Sequence, residues 1–452
     1  MKFTKFCKAL LIGALSAGVV LSVTSCVQSY TVGYLYVTGT VTSESNGNGF
    51  VAGFKIDHNT GKLTPINGLN PPVPSGGANP VRAVLLSGSR FLYVLNQGAS
   101  ADGKPCAADD PCLNSNITQF AIGANGILTP QALFYTQGLN PFRMIADTSG
   151  SHIYVLDHDS LYNGSASSAT NPNPYCAEAL AGATVCGDIT AFSVNATTGR
   201  LQLMLDSPAT GVTLPYFPVP VNPIDFTLTG LTVLTLSGTP ATGDTVYPYS
   251  YNSSTGSLTG TLTSSDSIGS VFQATAIVSA GGYIFVLDNE APPAPNLSNA
   301  RSQILPWTIG GNGALTAPSS GIIPDDASQA NPIYLAVENK GKWFYVANQG
   351  DPNNQQDALS GIAGYVINNP FQPTEIGGTP IGFGAGAGPV CIVEDPSNQF
   401  FYTANHDAAT VTGQELDQNA GTLTPLSQSS KVPDSYPLTG QPSWCLVDGR
   451  TN

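Results

Sequence analysis

A short phrase with an aromatic residue at its centre recurs along this 452-residue chain, and it limits the possible folds more than any other feature. Clear copies are SRFLYVLNQG, SHIYVLDHD, GYIFVLDNE, KWFYVANQG and QFFYTANHD. The aromatic residues, including a fainter first copy, are Tyr36, Tyr93, Tyr154, Phe285, Tyr345 and Tyr402, and a degenerate copy, LTVLTLSG, begins at Leu231. Adjacent clear copies are 57 to 61 residues apart, so seven units of about 60 residues fill most of the chain.

Each unit contains the pattern of two β-hairpins. A short apolar run, usually led by proline, comes before the aromatic phrase, as in NPVRAVLL, NPFRMIA, NPIYLAV and GPVCIVE. After the phrase come an alternating strand, a turn ending in glycine and a strand opening with leucine, as in VAGFKIDHNTGKLTPI and ITAFSVNATTGRLQLM. Four antiparallel strands per unit, repeated seven times, predict an all-β fold, a seven-bladed β-propeller.

The two ends of the chain predict how the ring closes. The first unit starts at its aromatic strand, near Tyr36, whereas the last segment, QPSWCLVDG, matches the proline-led first strand of a unit. We therefore expect the C-terminal strand to pair with the N-terminal blade, because this pairing removes the free sheet edges. Residues 34–452 are the predicted propeller.

The N-terminus reads as an export signal. Residues 1–25 contain three lysines, a short apolar run and small residues, which is typical of a cleaved secretory signal peptide. The end of this segment, Val-Thr-Ser-Cys, resembles the bacterial lipobox, which implies lipidation of Cys26 and a lipidated tether over residues 26–33. We therefore expect an exported bacterial membrane lipoprotein, at the outer membrane or cell surface. A membrane-spanning anchor is the alternative.

Charge restricts the possible partners. The chain carries a formal charge of −14. Removal of residues 1–25 takes away three of the 15 basic side chains and none of the 29 acidic ones, which leaves −17. This charge disfavours nucleic acid and anionic lipid surfaces as partners.

Export also affects the interpretation of the cysteines, because disulfides persist in oxidising compartments. Cys106 and Cys112 lie in one polar insertion, and Cys176 and Cys186 lie in another, so each pair is predicted to form a local disulfide. Metal ligation by these thiols is the alternative, but the CxxC spacing and the nearby histidines of a zinc site are missing. Cys391 and Cys445 lie in apolar strands and are expected to be buried thiols.

The YVAN phrase, followed by a strand that ends in TGxLT, resembles the bacterial seven-bladed lactonase propellers. These are typified by 6-phosphogluconolactonase and are related to YVTN-repeat surface proteins. The resemblance covers residues 33–452. It implies hydrolysis of a lactone by a Gly-x-Gly-Pro-Arg-His segment, to which GAGPVCIVEDP is the nearest match. That match keeps Gly386, Gly388 and Pro389, but it has Val390, Cys391 and Asp395 where those enzymes have Arg and two His.

Long insertions predict which face of the propeller is functional. Loops between second and third strands share one face with the connections between blades, and the long insertions fall there, at 97–116, 159–187, 289–302 and 349–360. Near this insertion face, the third residue of each innermost strand should approach the central channel. These residues are Arg82, Arg143, Asp225, Ala274, Tyr334, Cys391 and Trp444.

The channel residues suggest a ligand. Arginines pair with carboxylate or phosphate, and aromatic rings cover the apolar face of a sugar, so we predict ligand binding by Arg82, Arg143, Asp225, Tyr334 and Trp444. The alternative is that both arginines are structural and pair with Asn96, Asp157 or Asp225.

Histidines flanked by acids are candidates for a base or a cation site. They occur in Asp157-His158-Asp159 and Asn405-His406-Asp407, and the alternative is a pair of solvated turns. The residue three places after each aromatic is expected to end its strand by bonding backbone amides. These residues are Asn96, Asp157, Asp288, Asn348 and Asn405. Loop acids could bind Ca²⁺, although no EF-hand loop is present. They are Asp109, Asp110, Asp325 and Asp326.

Two functions follow from these features. The first is a lipid-anchored, monomeric binding module whose insertion face holds a sugar lactone, a small anion or an envelope protein. The second is a lactone hydrolase with a diverged site and His158 or His406 as its base. We expect no cofactor and no bound metal in either case.

Overall fold

The structure is a computed structural model. It describes residues 30–41, 48–86, 90–99, 114–207, 211, 213–238, 243–261, 266–267, 271, 273–290, 302–311, 313–317, 321–350, 359–368, 373–382 and 387–449. Four of the sequence-based predictions lie outside these residues: the signal peptide, lipidation of Cys26, the Cys106–Cys112 disulfide, and Ca²⁺ binding by Asp109 and Asp110. No helix among the described residues has the length and apolar character needed to cross a membrane.

The strands form seven antiparallel sheets, which confirms the predicted seven-bladed propeller. The chain starts in blade 1 with β1 (Thr31–Thr40), β2 (Asn48–Asp57), β3 (Leu63–Pro65) and β4 (Val73–Ala78). Blade 2 contains β5 (Pro80–Leu85), β6 (Phe91–Asn96), β7 (Asn116–Ile122) and β8 (Leu128–Phe134). Blade 3 contains β9 (Gly138–Ala146), β10 (His152–Tyr162), β11 (Ser165–Ala166), β12 (Gly187–Val194), β13 (Leu201–Leu203) and β14 (Phe217–Val219).

The second half of the chain repeats this arrangement. Blade 4 contains β15 (Pro223–Thr229), β16 (Thr232–Ser237), β17 (Thr245–Tyr251), β18 (Leu258–Thr261) and β19 (Asp266–Ser267). Blade 5 contains β20 (Ala274–Ala280), β21 (Tyr283–Asp288), β22 (Gln303–Ile309), β23 (Leu315–Thr316) and β24 (Ile323–Pro324). Blade 6 contains β25 (Pro332–Val337), β26 (Trp343–Asn348), β27 (Gly361–Val366) and β28 (Thr374–Glu375). Blade 7 contains β29 (Pro389–Glu394), β30 (Phe400–Asn405), β31 (Thr410–Leu416), β32 (Leu423–Pro425) and β33 (Ser435–Pro437).

The last strand, β34 (Gln441–Asp448), returns to blade 1 and pairs with β1, as the ends of the sequence predict. The first strand begins at Thr31, slightly before the predicted boundary at residue 34. The innermost strands then form a closed ring, in which β34 contacts both β5 and β29. The helical elements with described bounds are 3-10 turns at Ala124–Gly126 and Pro174–Glu178 and the short helix α1 (Leu426–Ser429).

The hydrophobic core lies between the blades rather than within any one of them. Seven buried clusters are present, and each joins two adjacent blades. The cluster that contains Phe50 and Tyr402, for example, joins blade 1 to blade 7. Because a four-stranded blade cannot cover both of its apolar faces alone, each repeat is stable only when it is packed between its neighbours.

Two disulfides are present in the described residues. Cys176 and Cys186 are bonded inside the insertion of blade 3, as predicted. Cys391 and Cys445 are also bonded, so the prediction that they are free buried thiols is wrong. These two cysteines are 54 residues apart in sequence, but β29 and β34 are neighbours in the ring, which places their Cα atoms 6.0 Å apart. Disulfides of this kind are typical of extracytoplasmic proteins.

Candidate functional site

The start of each innermost strand has a shared geometry that sets which side chain approaches the channel. Asparagine before the strand adopts a left-handed conformation, with φ between 48° and 58° at Asn79, Asn140, Asn222 and Asn331. Between the first and third residues of the strand, the register with the second strand then shifts, as between Pro80 and Arg82. Asparagine tolerates a positive φ, and the ring of the proline that follows fixes the φ of the proline itself. The Asn-Pro pairs in the repeat therefore set this bulge.

The third residues form the ring that the spacing predicts, with one exception. In blade 5 the strand pairing aligns Ala276, not Ala274, with Arg82 of blade 2. The prediction was wrong by two residues because β20 and β21 are joined by a tight turn at Gly281 and Gly282, which shortens the distance to the aromatic residue. The ring consists of Arg82, Arg143, Asp225, Ala276, Tyr334, Cys391 and Trp444.

Arg143 is part of an ion pair that joins neighbouring blades. Its Nε lies 3.2 Å from Oδ1 of Asp225, which also accepts a hydrogen bond from the backbone N–H of Phe226 at 2.9 Å. The second carboxylate oxygen of Asp225 accepts from the backbone N–H of Ile277, in blade 5, at 3.1 Å. Asp225 therefore connects three blades. Arg143 has the structural partner that the sequence offered as an alternative to ligand binding.

Arg82 has a different environment. Its guanidinium carbon lies 3.7 Å from the centroid of the Trp444 ring, and the edge of Tyr334 packs on the same tryptophan at 4.9 Å. Within the described part of the chain, no side-chain or backbone acceptor lies in hydrogen-bonding range of this guanidinium. Burial, followed by the positive charge of Arg143, lowers the pKa of Arg82 to about 9. Asn96 and Asp157, its other predicted partners, bond elsewhere.

Arg82 is only partly buried, and so are Tyr334 and Trp444, so the channel gives access to this group. The structure thus brings all five predicted ligand-binding residues together: Arg82, Arg143, Asp225, Tyr334 and Trp444. Two cations and one carboxylate leave one positive charge in a protein that is acidic overall. A bound anion would neutralise the remaining positive charge of this cluster.

His158 lies close to the same cluster. Its ring stacks on Phe142, the residue before Arg143, with a centroid distance of 3.7 Å and an interplanar angle of 10°. His158 is exposed, but packing on Phe142 removes water from one face of its ring, and this desolvation, followed by the charge of Arg143, lowers the pKa of His158. The imidazole is therefore neutral at pH 7 and can accept a proton.

The acids beside His158 do not converge on it. Asp159 accepts a hydrogen bond from the side-chain amide of Asn140 at 2.8 Å, while Asp157 points into blade 3. Within the part of the chain that is described, no group of three or more His, Cys, Asp or Glu side chains could hold a metal ion. These contacts favour the turn alternative for Asp157-His158-Asp159 over a cation site.

Asp157 forms a buried carboxyl pair that the sequence did not predict. It lies directly across from Asp188 on β12, and both side chains are fully buried. Thr136 donates to Asp157 at 2.9 Å, and the Thr190 hydroxyl lies between the two acids. Burial raises the pKa of Asp157 to about 8, and burial together with Asp157 raises that of Asp188. Burial thus disfavours the ionised form of both acids, and the alignment of the two acids was visible only from the strand register.

His406 lies in blade 7, away from this cluster. Its Nδ1 is 2.6 Å from Oδ1 of Asp407, and its backbone N–H donates to Gly388. No contact among the described residues joins it to Arg82 or Arg143. Of the two histidine candidates, only His158 is placed near the channel residues.

The residues that follow the aromatics are buried and mostly bond side chains, so the prediction that they bond backbone amides is wrong for most of them. The side-chain amide of Asn96, for example, donates to the side chains of Asn116 and Thr118, both at 3.0 Å. Asp288 is an exception, because it accepts from the backbone N–H of Gln273. Each of these residues lies in the second strand of its blade and pairs with a residue of the third strand, and burial there forces side chains to pair with one another.

The predicted acidic calcium ligands are also in structural roles where they are described. Asp325 is buried and accepts from the Tyr365 hydroxyl at 2.6 Å, while Asp326 accepts from the backbone N–H of Ser328 at 2.7 Å. Asp326 also lies beside Glu375, where burial, followed by the charge of Asp326, raises the pKa of Glu375 to about 7.

The segment that resembles the lactonase motif lacks the side chains that the resemblance assigns to hydrolysis. Cys391, which replaces a histidine, is bonded to Cys445. Asp395, which replaces another, lies at a turn on the face opposite the insertions and accepts the backbone N–H groups of Gln399 and Phe400 at 2.8 and 2.7 Å. The motif positions here therefore form scaffold, and the candidate site lies elsewhere on the ring.

Comparison with solved structures supports the predicted relationship in fold. A protein from Bacteroides fragilis, provisionally named a 6-phosphogluconolactonase, superimposes with a TM-score of 0.61 at 14% identity, over 92% of this chain and 98% of that one. A similarly named protein from Bacteroides uniformis gives 0.61 at 12% identity, over 92% and 99%. The periplasmic gluconolactonase of Pseudomonas aeruginosa gives 0.62 at 15% identity, over 92% and 99%.

These superpositions establish the lactonase-type propeller fold that the resemblance implies. At such low sequence identities they do not establish an activity. No protein-family model matches the sequence. No curated protein matches it at a significant level.

Proposed function

We propose that this chain is an exported binding protein that holds a small anion, such as a sugar acid, at the mouth of its central channel. The observation that carries the proposal is Arg82, a cation in the channel with no acceptor among the described residues. Its charge is retained at neutral pH, since its pKa of about 9 is still well above 7.

Ligand chemistry follows from the groups around Arg82. A guanidinium offers two parallel N–H donors that match a carboxylate, and Arg143 adds a second positive charge beside it. Trp444 and Tyr334 supply ring faces and edges that suit the apolar side of a sugar. A sugar carboxylate uses both features, whereas a neutral sugar leaves the charge of Arg82 uncompensated.

Calorimetric titration with D-gluconate tests the proposal. Arg82→Met keeps the stem over Trp444 and removes the charge, so we expect binding to weaken by about 1.5–3 kcal/mol, the range for a charge-assisted hydrogen bond. Arg200→Met is the matched control, because Arg200 also lies over an aromatic ring, Phe134, but at the outside of blade 3, directly before β13. If Arg82→Met lowers the melting temperature and leaves gluconate binding unchanged, Arg82 is a structural residue and the proposal fails.

Lactone hydrolysis is the second candidate, and the neutral imidazole of His158 beside Arg143 is the observation that favours it. In such a reaction His158 takes a proton from water, the water oxygen bonds to the lactone carbonyl carbon, and the ring C–O bond breaks. The leaving oxygen takes the proton back from His158, which gives a hydroxy acid. Its carboxyl group then loses a proton to solvent, and the resulting anion is of the kind that Arg82 suits. The arginines would stabilise the oxyanion that forms on the carbonyl.

The same purified protein distinguishes these two functions. Turnover of D-glucono-1,5-lactone above the spontaneous rate should fall with His158→Ala and with Arg82→Met, and His406→Ala serves as a control. If hydrolysis is absent, or if none of His158→Ala, Arg82→Met and Arg143→Ala lowers its rate, lactone hydrolysis is excluded and only the binding function remains.

The remaining parts of the proposal concern location. We propose lipidation at Cys26 after removal of residues 1–25, with the propeller as a monomer at the outer membrane or cell surface. An envelope protein is the alternative partner for the insertion face. The two disulfides, which need an oxidising compartment, support export.

A further inference from the structure

A second site, separate from the channel, lies between blades 6 and 7. It is a cavity of about 310 Å³, at the lower end of the range for small-molecule sites. One wall is polar and consists of Asn405, Thr410, Thr412 and Gln414. Much of the rest is apolar or has no side chain, and it includes Ile381, Gly382, Ala387, Ala408 and Pro425.

Strand geometry explains the polar wall. Asn405, the last residue of β30, pairs with Thr410, the first residue of β31. Alternate residues of a strand share a face, so Thr412 and Gln414 follow Thr410 on the side turned to blade 6. The sequence of β31, TVTGQEL, therefore extends the polar row to Gln414, at the position where blades 2 and 3 bury Phe120 and Phe192.

Two buried acceptors on this wall have no partner among the described residues. They are Oδ1 of Asn405, which is fully buried, and Oε1 of Gln414, which is 2% exposed. Both residues line the cavity. A buried carbonyl oxygen without a donor destabilises the fold, so these two atoms point to a ligand that donates hydrogen bonds.

The same wall also offers donors. The side-chain N–H groups of Asn405 donate to the hydroxyl oxygens of Thr410 and Thr412, both at 3.2 Å. A hydroxyl that accepts in this way still has its own proton to give. The wall therefore alternates two carbonyl acceptors with two hydroxyl donors.

Blade 2 shows how the fold closes the equivalent position when no site is present. Asn96 and Thr118 occupy the places of Asn405 and Thr412 in the strand register. There the Ser75 hydroxyl, from β4 of blade 1, donates to Oδ1 of Asn96 at 2.6 Å. The preceding blade thus supplies in blade 2 a donor that Oδ1 of Asn405 lacks among the described residues.

We propose that the cavity between blades 6 and 7 binds a small neutral polyol of monosaccharide size. A polyol hydroxyl both donates and accepts, which matches the alternating wall. A carboxylate group cannot donate to Asn405 and Gln414, and an ammonium group cannot accept from Thr410 and Thr412. Asp434, an ionisable residue at the cavity, already accepts from the Ser427 hydroxyl, and its negative charge disfavours an anion.

Titration of the purified protein with D-glucose, followed by ligand-detected NMR, tests this inference. Ala408 is exposed at the cavity, so Ala408→Trp should block the cavity without disturbing the core and should abolish glucose binding. Thr412→Val removes one hydroxyl and should weaken binding about fivefold, the factor for one neutral hydrogen bond. Thr118→Val, the same change in blade 2, should leave glucose binding unchanged.

The channel site is tested separately in the same assay. Arg82→Met should affect gluconate and not glucose, so failure of one site is distinguishable from failure of the other. Absence of glucose binding, which would mean that the cavity holds water only, overturns the inference. Binding that Arg82→Met removes and Ala408→Trp does not, or equal competition by D-glucosamine or D-gluconate at the Ala408-dependent site, also overturns it.

Discussion

At the scale of single residues, the repeated tyrosine is a joint between blades. The Tyr345 hydroxyl donates to the carbonyl of Gly421 in the next blade at 2.6 Å. The same bond recurs from Tyr36 to Gly126, Tyr93 to Gly199, Tyr154 to Gly256 and Tyr402 to Gly61. The acceptor in each bond is the carbonyl of the glycine in the TGxLT-type turn. This bond explains why the aromatic phrase and the turn repeat together along the chain. The bond is absent at Leu234 and Phe285, because neither side chain has a hydroxyl.

The glycine in this joint is required for two reasons. Gly421 has a φ of 75°, which favours glycine, and an added Cβ would lie 2.6 Å from the indole nitrogen of Trp343. An aromatic ring two residues before the tyrosine thus covers the glycine whose carbonyl the tyrosine binds. Both contacts are made between units, so neither could be assigned from one repeat.

We expect Tyr345→Phe to lower the free energy of unfolding by about 1–2 kcal/mol, because the buried Gly421 carbonyl loses its donor. Urea unfolding of the variant and the parent protein measures this difference. Tyr135→Phe is the control, since Tyr135 is 59% exposed. Equal stability of the Tyr345→Phe and Tyr135→Phe variants would show that the interblade bond contributes nothing.

At the scale of elements, the innermost strands determine both closure and the site. β34 completes blade 1, and the Cys391–Cys445 disulfide joins it covalently to β29 of blade 7. Closure of the ring is therefore held by strand pairing on one side of β34 and by a covalent bond on the other. The same strand carries Trp444, which lies under Arg82, so the end of the chain also builds the candidate site.

We expect Cys445→Ser to destabilise the propeller by up to about 4 kcal/mol, because the bond closes a loop across 54 residues. Thermal unfolding with and without reductant measures the loss, and the variant should also lose most of the parent's sensitivity to reductant. Cys186→Ser is the comparison, with an expected loss of about 3 kcal/mol for a separation of 10 residues. Thiol labelling of native protein at Cys391 and Cys445 would contradict the bond directly.

At the scale of the whole molecule, both ends of the chain meet in blade 1. The first strand begins at Thr31, five residues after the proposed lipidation site at Cys26. An extended chain covers about 3.3 Å per residue, so the start of blade 1 can lie at most about 17 Å from the lipidated residue. The proposed anchor would therefore hold the propeller close to the membrane surface.

Membrane fractionation tests the anchor. We expect the wild-type protein to sediment with membranes and Cys26→Ser to become soluble or to keep its signal peptide, since the acyl chains attach to this thiol. Intact-protein mass spectrometry should show acylation of the wild type alone. Cys7→Ser is the control, because Cys7 lies within the proposed signal peptide. An unchanged mass and distribution for Cys26→Ser would exclude the lipoprotein assignment.

The repeat alone was enough to predict the architecture. Seven units, two hairpins in each and an unmatched C-terminal strand left few other ways to cover the blade faces, and the structure confirms the number of blades, the strand order and the closure. The ring of channel residues was also predicted, except in blade 5, where a two-residue turn shifted the position from Ala274 to Ala276. These features depend on local patterns and on strand periodicity, both of which are visible within one repeat.

Partners of individual side chains were decided only by the tertiary structure. Arg82 and Arg143 occupy equivalent places in two copies of the same motif, yet Arg143 is paired with Asp225 and Arg82 lies over Trp444 without an acceptor among the described residues. The Cys391–Cys445 bond and the cavity beside Asn405 likewise depend on how adjacent blades meet. A repeat pattern determines the position of a side chain within its own blade, whereas its partner belongs to another blade, and only packing of the closed ring sets the distance between them.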